Sequence, residues 1–520
     1  MRFHIFILAL VLCLVRPAFA LPRLEAVHVT LEYVAKKAEV RAHKPFHSPR
    51  LDLPDFLSKL TYDQYRQIQF RDENALWKQE GLPFRIQFFH LGYLYQEPVH
   101  LNEFSSTHVQ PVRFVPDFFN YGNLKLASEI PANTGYAGFR VNLRWNGTNA
   151  EKWDELGAFQ GASYFRLLGQ GQIYGMSARG LALDCGETSR PEEFPIFTDW
   201  WLGKPQPGDH DLLLYAILDS VSCVGAYEFQ ISPGATTIAQ VEAIVYFREM
   251  KDILAADPQR KALSTIGFAP LTSMFWYGKN SERKFDDYRP EVHDSDGLLM
   301  QMESGERVWR PLVNAAVLRH QSYPATNIRG FGLLQRDRKF DDYQDMFHGY
   351  QNVPSVWVAP KDNWGEGQVH VVELSTQYEG LDNVVAFWNP ATKPAPLQPL
   401  RFGYTLYWTR ETDITQSSNL VVSTRVGLDP RDQRQRQFVI DYDLPMLKGD
   451  EQAPKAQATC STNANIALVQ LFRNTDDNTW RVFLDMAPMP DDHDPVDLKC
   501  TLKRSDGLTS ETWSYRWSPP

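Results

Sequence analysis

From Phe84 onward the chain is written in short runs of alternating apolar and polar residues, broken by Gly, Pro, Asn and Asp. Phe84-Arg-Ile-Gln-Phe-Phe-His, Tyr136-Ala-Gly-Phe-Arg-Val-Asn-Leu, Asp211-Leu-Leu-Leu-Tyr-Ala-Ile-Leu, Val369-His-Val-Val-Glu-Leu and Asn383-Val-Val-Ala-Phe-Trp are typical. A period of two puts alternate side chains on opposite faces of a strand, so many such runs predict a large, mainly β sandwich. Pro54–Gln69 and Glu73–Gln79 instead show helical spacing, with a break between Leu60 and Tyr65 that splits the first into two short helices. Val241–Ala255 reads either way, its first half alternating and its second half able to close a helical turn.

Asn389–Leu400 carries four prolines in twelve residues. Proline removes ladder donors and stiffens the backbone, so 389–400 is expected to link two domains. Residues 21–388 then form the large sandwich. Residues 401–520, with Phe402–Trp408, Phe438–Tyr442, Ile466–Phe472, Trp480–Leu484 and Thr512–Trp517 as strands, form a small immunoglobulin-like β-sandwich.

Residues 1–20 read as a secretory signal peptide: Arg2, an apolar run from Ile5 to Val15, and Ala18-Phe19-Ala20 for cleavage. Leu12 before Cys13 is not the small residue that a lipid anchor requires, and no later run is long enough to span a membrane. Export to an oxidising compartment makes the even set of Cys185, Cys223, Cys460 and Cys500 a candidate for two disulfides, most economically Cys185–Cys223 and Cys460–Cys500. The net charge of -10 argues against a nucleic-acid partner. The 13% aromatic content, with 14 Trp, 22 Tyr and 31 Phe, suits stacking on sugars as well as a β-rich core.

Several familiar sites are excluded. Tyr174 replaces the third glycine of a dinucleotide loop, and Arg179 the second glycine of a nucleophile elbow. Leu299 and Gly305 break a calcium loop begun at Asp294, so neither metal nor cofactor is expected. What remains is an acidic and aromatic constellation spread over Arg289–Gly297, Gly330–Asp345, Trp364–Gly367 and Glu379–Asp382. Two carboxylates flanking a sugar are the minimum equipment for breaking a glycosidic bond, and Asp294 and Asp382 are the candidate pair. Taken alone, each of these Asp residues is more often a turn former or an Arg partner than a catalyst, because turns require Asp and Gly. Trp276, Trp364 and Tyr350 are candidate stacking surfaces.

Tyr62-Asp-Gln-Tyr-Arg-Gln-Ile-Gln-Phe, Tyr164–Ala182, Ala269-Pro-Leu-Thr-Ser-Met-Phe, Arg289-Pro-Glu-Val-His-Asp-Ser-Asp-Gly-Leu, Gly330-Phe-Gly-Leu-Leu-Gln-Arg-Asp-Arg and Glu511-Thr-Trp-Ser-Tyr resemble the periplasmic glucans biosynthesis protein G and D family. The resemblance implies a galactose-mutarotase-like supersandwich with a glucan cleft, an immunoglobulin-like C-terminal domain, a periplasmic location, and action on a β-1,2-glucan backbone. It implies an inverting endo-β-1,2-glucanase, with a cyclising transglycosylase or a non-catalytic glucan-binding assembly factor as alternatives. The family's Asp-Asn-(Ile/Val)-Val-Ala motif makes Asp382 the general acid. Its Leu-His-Asp-Ser motif makes Asp294 the general base, with Val292 in place of the Leu. Glu379 and Tyr350 match cleft positions, and His293 and Arg336, from the same motifs, complete the expected substrate contacts. A homodimer and a contact with an inner-membrane glucan synthase are suggested by analogy. The four mature cysteines and the absence of paired arginines in the leader depart from the family's usual pattern, so type G versus type D stays open.

Overall fold

The computed structural model describes residues 28–519, apart from 107, 125–128, 146–152, 283–284, 412–413, 415–418 and 445–452; the expected signal peptide lies outside the described residues. Two large sheets dominate. A ten-stranded sheet runs from Phe84–His90 through Tyr136–Leu143, Asp154–Gln160, Tyr164–Leu167, Ser177–Arg179, Ile266–Ser273, Val384–Pro390 and Glu366–Glu373 to Arg319–Thr326, with Ala182–Leu183 paired alongside. A fourteen-stranded sheet covers it, and aromatic side chains fill the space between. Phe139 and Phe159 from the first sheet meet Trp200 from the second edge-on at 5.1 and 5.0 Å, and Phe268 stacks on Phe402 at 4.1 Å. The predicted alternation is visible in Phe84–His90, whose odd positions are buried and even positions half-buried. Ile266–Ser273 is buried along its whole length and lies mid-sheet.

The helical segment before the sandwich is smaller than its spacing suggests. Asp55–Ser58 and Tyr62–Tyr65 are single turns, the second closed by a Thr61/Gln64 capping box, and the break falls where the spacing predicts. Glu73–Gln79 is not helical: a 3-10 turn at Asp72–Asn74 ends there and Trp77 has φ 70°, because its ring is drawn into the core. Leu31–Ala42 forms a helix that packs on the outer face of the fourteen-stranded sheet through Val34, Ala35, Ala38 and Ala42. Val241–Ala255 resolves into both readings, a strand to Phe247 and a helix over Met250–Ala256.

The proline-rich stretch is not the domain boundary. It connects Val384–Pro390 to Pro399–Thr409, which lies mid-sheet in the large sandwich, with Ala239 opposite Leu406 on one side and Val356 opposite Trp408 on the other. Pro399 opens that strand, where a missing N–H is tolerated, so the prolines mark a crossover between sheets. The smaller sandwich starts after Thr409. Leu420–Leu428, Arg436–Asp443, Thr479–Pro488 and Ala464–Asn474 form one sheet, facing Lys455–Cys460, Val496–Lys503 and Thr512–Trp517. The last three strands continue the fourteen-stranded sheet through parallel pairing of Val308 and Trp309 with Thr512 and Trp513, so the two domains share a sheet.

All four mature cysteines are free thiols, against the expected pairing. Cys185 belongs to a small cluster with Val372 and Phe387, and Cys223 to the main core. Cys460 and Cys500 lie on adjacent strands, but Cys500 faces Ala458 and Cys460 faces Leu498. That diagonal offset separates Cα atoms by about 7–8 Å, beyond ordinary disulfide reach. Burial pushes the thiols of Cys185 and Cys223 up to about 12, so neither ionises readily.

Candidate active site

The two candidate aspartates, far apart along the chain, are clamped to one stretch of backbone. Asp294 N–H donates to the Met274 carbonyl (2.8 Å). On the other side, Asn383 N–H donates to the Ser273 carbonyl (3.0 Å), while the Asn383 side chain accepts from Phe275 N–H (2.8 Å) and donates to the Phe275 carbonyl (3.1 Å). Residues 273–275 therefore hold Asp294 and the neighbour of Asp382 together. Gly175 makes room for the pair, since a Cβ there would stand 3.0 Å from Asp294 Oδ1 and 2.3 Å from Val353.

Asp294 is 6% exposed. Burial, then the charge of Asp382, pushes its carboxyl up to about 7, against the smaller opposing pull of Arg166, His293 and the Met274 backbone. Asp382 remains open to water, its side chain 27% exposed. Its pKa is also raised, by burial, with Arg166 and Arg179 opposing; burial and not Glu379 is the cause. The contact with Arg166 is a single one at 3.5 Å, which leaves the carboxyl unlocked. Burial thus pushes both carboxyls up, and the charge of Asp382 adds to the rise at Asp294.

A second layer centres on Arg289. Its guanidinium donates to Asp287 (2.8 Å), Asp345 (2.9 Å) and Glu379 (2.7 Å), tying three loops together. Glu379 also accepts from the hydroxyl of Tyr350 (2.6 Å), a buried ring stacked beside His348 at 4.1 Å. Tyr350 is close enough to Asp294 for that charge to add to the strong rise of its own pKa, led by burial. Asp345 in turn caps Phe347 N–H and His348 N–H (2.8 Å each), fixing the adjoining loop. Trp276 is half-buried against Tyr277 and Phe285, with the Arg289 guanidinium 5.9 Å from its ring.

Three expected substrate contacts fall elsewhere. His293 is fully buried, stacked on Phe275 at 5.3 Å and 3.2 Å from Glu291 Oε2. Arg336 forms a bidentate pair with Glu511 (2.9 and 2.8 Å) under the Trp309 ring and fastens the small domain to the large one. Trp364 packs on Phe268, Trp388 and Tyr404 at the far end of Val384–Pro390, roughly 20 Å of strand from Asp382. Arg166, Arg289, Asp345 and Asn383 are neighbours to which sequence reasoning gave no role, although the motifs and acidic stretches quoted above contain them. Glu291, His293 and Asp337 are grouped as metal ligands could be, but the Lys279 ammonium lies 3.1 Å from Glu291 and 2.5 Å from Asp337 and supplies the cation.

The fold is that of a mainly β protein with two large sheets, and it brings Asp294 and Asp382 near one another beside the cluster of Arg289, Glu379 and Tyr350. The family model described as "Periplasmic glucan biosynthesis protein, MdoG" matches residues 30–517, and this chain belongs to that family. It is 40% identical over 493 residues to a probable glucans biosynthesis protein D of Shewanella oneidensis, covering 93% of this chain and 87% of the relative. It is 40% identical to a glucans biosynthesis protein G of Ralstonia nicotianae over 499 residues, covering 94% and 96%, and 38% identical to a protein G of Serratia proteamaculans, covering 94% and 92%. Relatives named G and D thus match alike. Among the described residues, no helix is long and apolar enough to cross a membrane.

Proposed function

We propose that this protein is an inverting endo-β-1,2-glucanase that cuts the backbone of osmoregulated periplasmic glucans. The observation that supports the reading is the nearness of Asp294 and Asp382: residues 273–275 bond to Asp294 and to Asn383, and the charge of Asp382 is felt at Asp294. Asp382, the more accessible carboxyl, delivers its proton to the glycosidic oxygen as the C1–O bond breaks, releasing one chain with a free 2-hydroxyl. A water attacks C1 from the opposite face, and its proton passes to Asp294, leaving a new reducing end of inverted configuration. Glucan that displaces water from around Asp382 keeps that carboxyl protonated, since a dehydrated carboxyl resists ionisation. Tyr350 and Glu379 border the base and can orient the attacking water or a sugar hydroxyl.

The test is incubation of the purified protein with linear β-1,2-glucan, scored for shorter chains and new reducing ends. Hydrolysis yields both; cyclisation shortens chains without adding reducing ends, and a pure binding protein changes neither. The Asp382→Asn variant is expected to lose nearly all turnover while still binding glucan. A folded variant that keeps a tenth of wild-type turnover overturns the assignment.

A further inference from the structure

The motif beginning at Tyr62 takes no part in the chemistry above, yet it ends a row of aromatic rings whose other end, Tyr95, lies near Arg166, the partner of Asp382. Tyr164 and Arg166 are alternate residues of one strand, and Arg166 reaches Asp382. The hydroxyl of Tyr95 lies within electrostatic reach of Arg166. From Tyr95 the ring centroids step 5.4 Å to Tyr65, 6.2 Å to Tyr93 and 6.1 Å to Tyr62, each step on the scale of a single sugar ring. Tyr65 is anchored: its hydroxyl donates to the His90 carbonyl (2.8 Å) and accepts from Gln160 Nε2 (3.0 Å). Tyr62, at the outer end, is 58% exposed.

The backbone at Tyr93 gives an independent sign. Gly92 and Tyr95 exchange both backbone hydrogen bonds (2.8 and 2.9 Å), so Tyr93 and Leu94 are the two central residues of a tight hairpin. Tyr93 has φ +54° at the position where such a turn favours glycine. A bulky residue kept in the left-handed region is strained, and strain of this kind gathers at ligand clamps.

We propose that Tyr95, Tyr65, Tyr93 and Tyr62 form a binding track for the distal glucose units of a β-linked glucan whose scissile bond lies at Asp382. Phenol rings offer apolar faces to the C–H faces of sugars and hydroxyls to their rims, which is the chemistry that an uncharged glucan chain requires. The inference rests on reading the cleft as a glucan site, and it adds that affinity grows with chain length towards the Tyr62 end.

The experiment measures binding, by titration calorimetry in the Asp382→Asn background so that no chain is cut, of long linear β-1,2-glucan and of the β-1,2-linked trisaccharide. Tyr62→Ala and Tyr93→Gly are each expected to weaken long-chain affinity about three- to tenfold and to leave trisaccharide affinity unchanged. Unchanged long-chain affinity in both variants overturns the track, as does an equal loss for long and short ligands. Absence of hydrolysis in the unmodified protein alongside length-dependent binding would tell against the acid assignment and leave the track standing.

Discussion

Replacing Asp294 by Asn should make the protein more stable at alkaline pH. The folded-state pKa of about 7 stands above the ordinary 3.8, so the folded protein holds a proton between about pH 4 and 7 that the unfolded chain has released. Stability contributed by the protonated carboxyl is therefore lost as pH rises through that window. Each pH unit corresponds to about 1.4 kcal/mol, which sets the wild-type penalty at about 1.5 kcal/mol at pH 5 and about 4 kcal/mol at pH 8. Asn, isosteric and uncharged, escapes both, so the advantage of the variant should grow by about 2.5 kcal/mol between those pH values. With an unfolding entropy near 2.1 cal/mol/K per residue, a chain of 520 residues gains about 2 to 3 °C in relative midpoint. Scanning calorimetry of both proteins at pH 5 and pH 8 reads this directly. A difference in midpoint that does not widen with pH, or a variant less stable at pH 8, refutes the burial argument. The Asp382→Asn variant is an internal control: it removes the neighbouring charge that helps raise Asp294 and should shrink the pH dependence without abolishing it.

Arg289→Ala should release Glu379, Asp345 and Asp287 together and lower turnover on glucan about a hundredfold, as a misplaced cleft loop does; steady-state kinetics on linear β-1,2-glucan check it. Arg336→Ala leaves Glu511 buried and unpaired and should cost about 3–5 kcal/mol in a denaturant titration. Glucan affinity in the fraction that stays folded should not change, in contrast to a residue that touches sugar. Titrating the denatured, unreduced protein should find Cys185, Cys223, Cys460 and Cys500 all reactive; two or more masked thiols would restore a disulfide.

The strands were legible because alternation is local: Phe84–His90 and Tyr136–Leu143 can be read from single windows, and both form as predicted. The helix at Leu31–Ala42 was not, because three of its four buried positions are alanine and its apolar stripe is faint. The proline-rich crossover misled for a different reason. Proline density reports where a ladder stops, and two strands of one sandwich can be joined by such a stretch as readily as two domains. Which sheet Pro399–Thr409 enters depends on its partners, Thr237–Phe247 and Ser355–Pro360, and these lie outside any local window.

The candidate site separates in the same way. Asp294, Asp382, Glu379 and Tyr350 could be picked out from their motifs, whereas membership of a motif does not give direction. The strand Val292–His293 ends at a bend on Asp294, and His293 is received in the interior by Glu291 and Phe275. Asn383, beside Asp382, is likewise buried, and its amide clasps Phe275 and Leu374. Each motif thus pairs one candidate aspartate with one buried side chain of the scaffold. A substitution of Asn383 should therefore disturb Asp294 and Asp382 together, although Asn383 is itself buried.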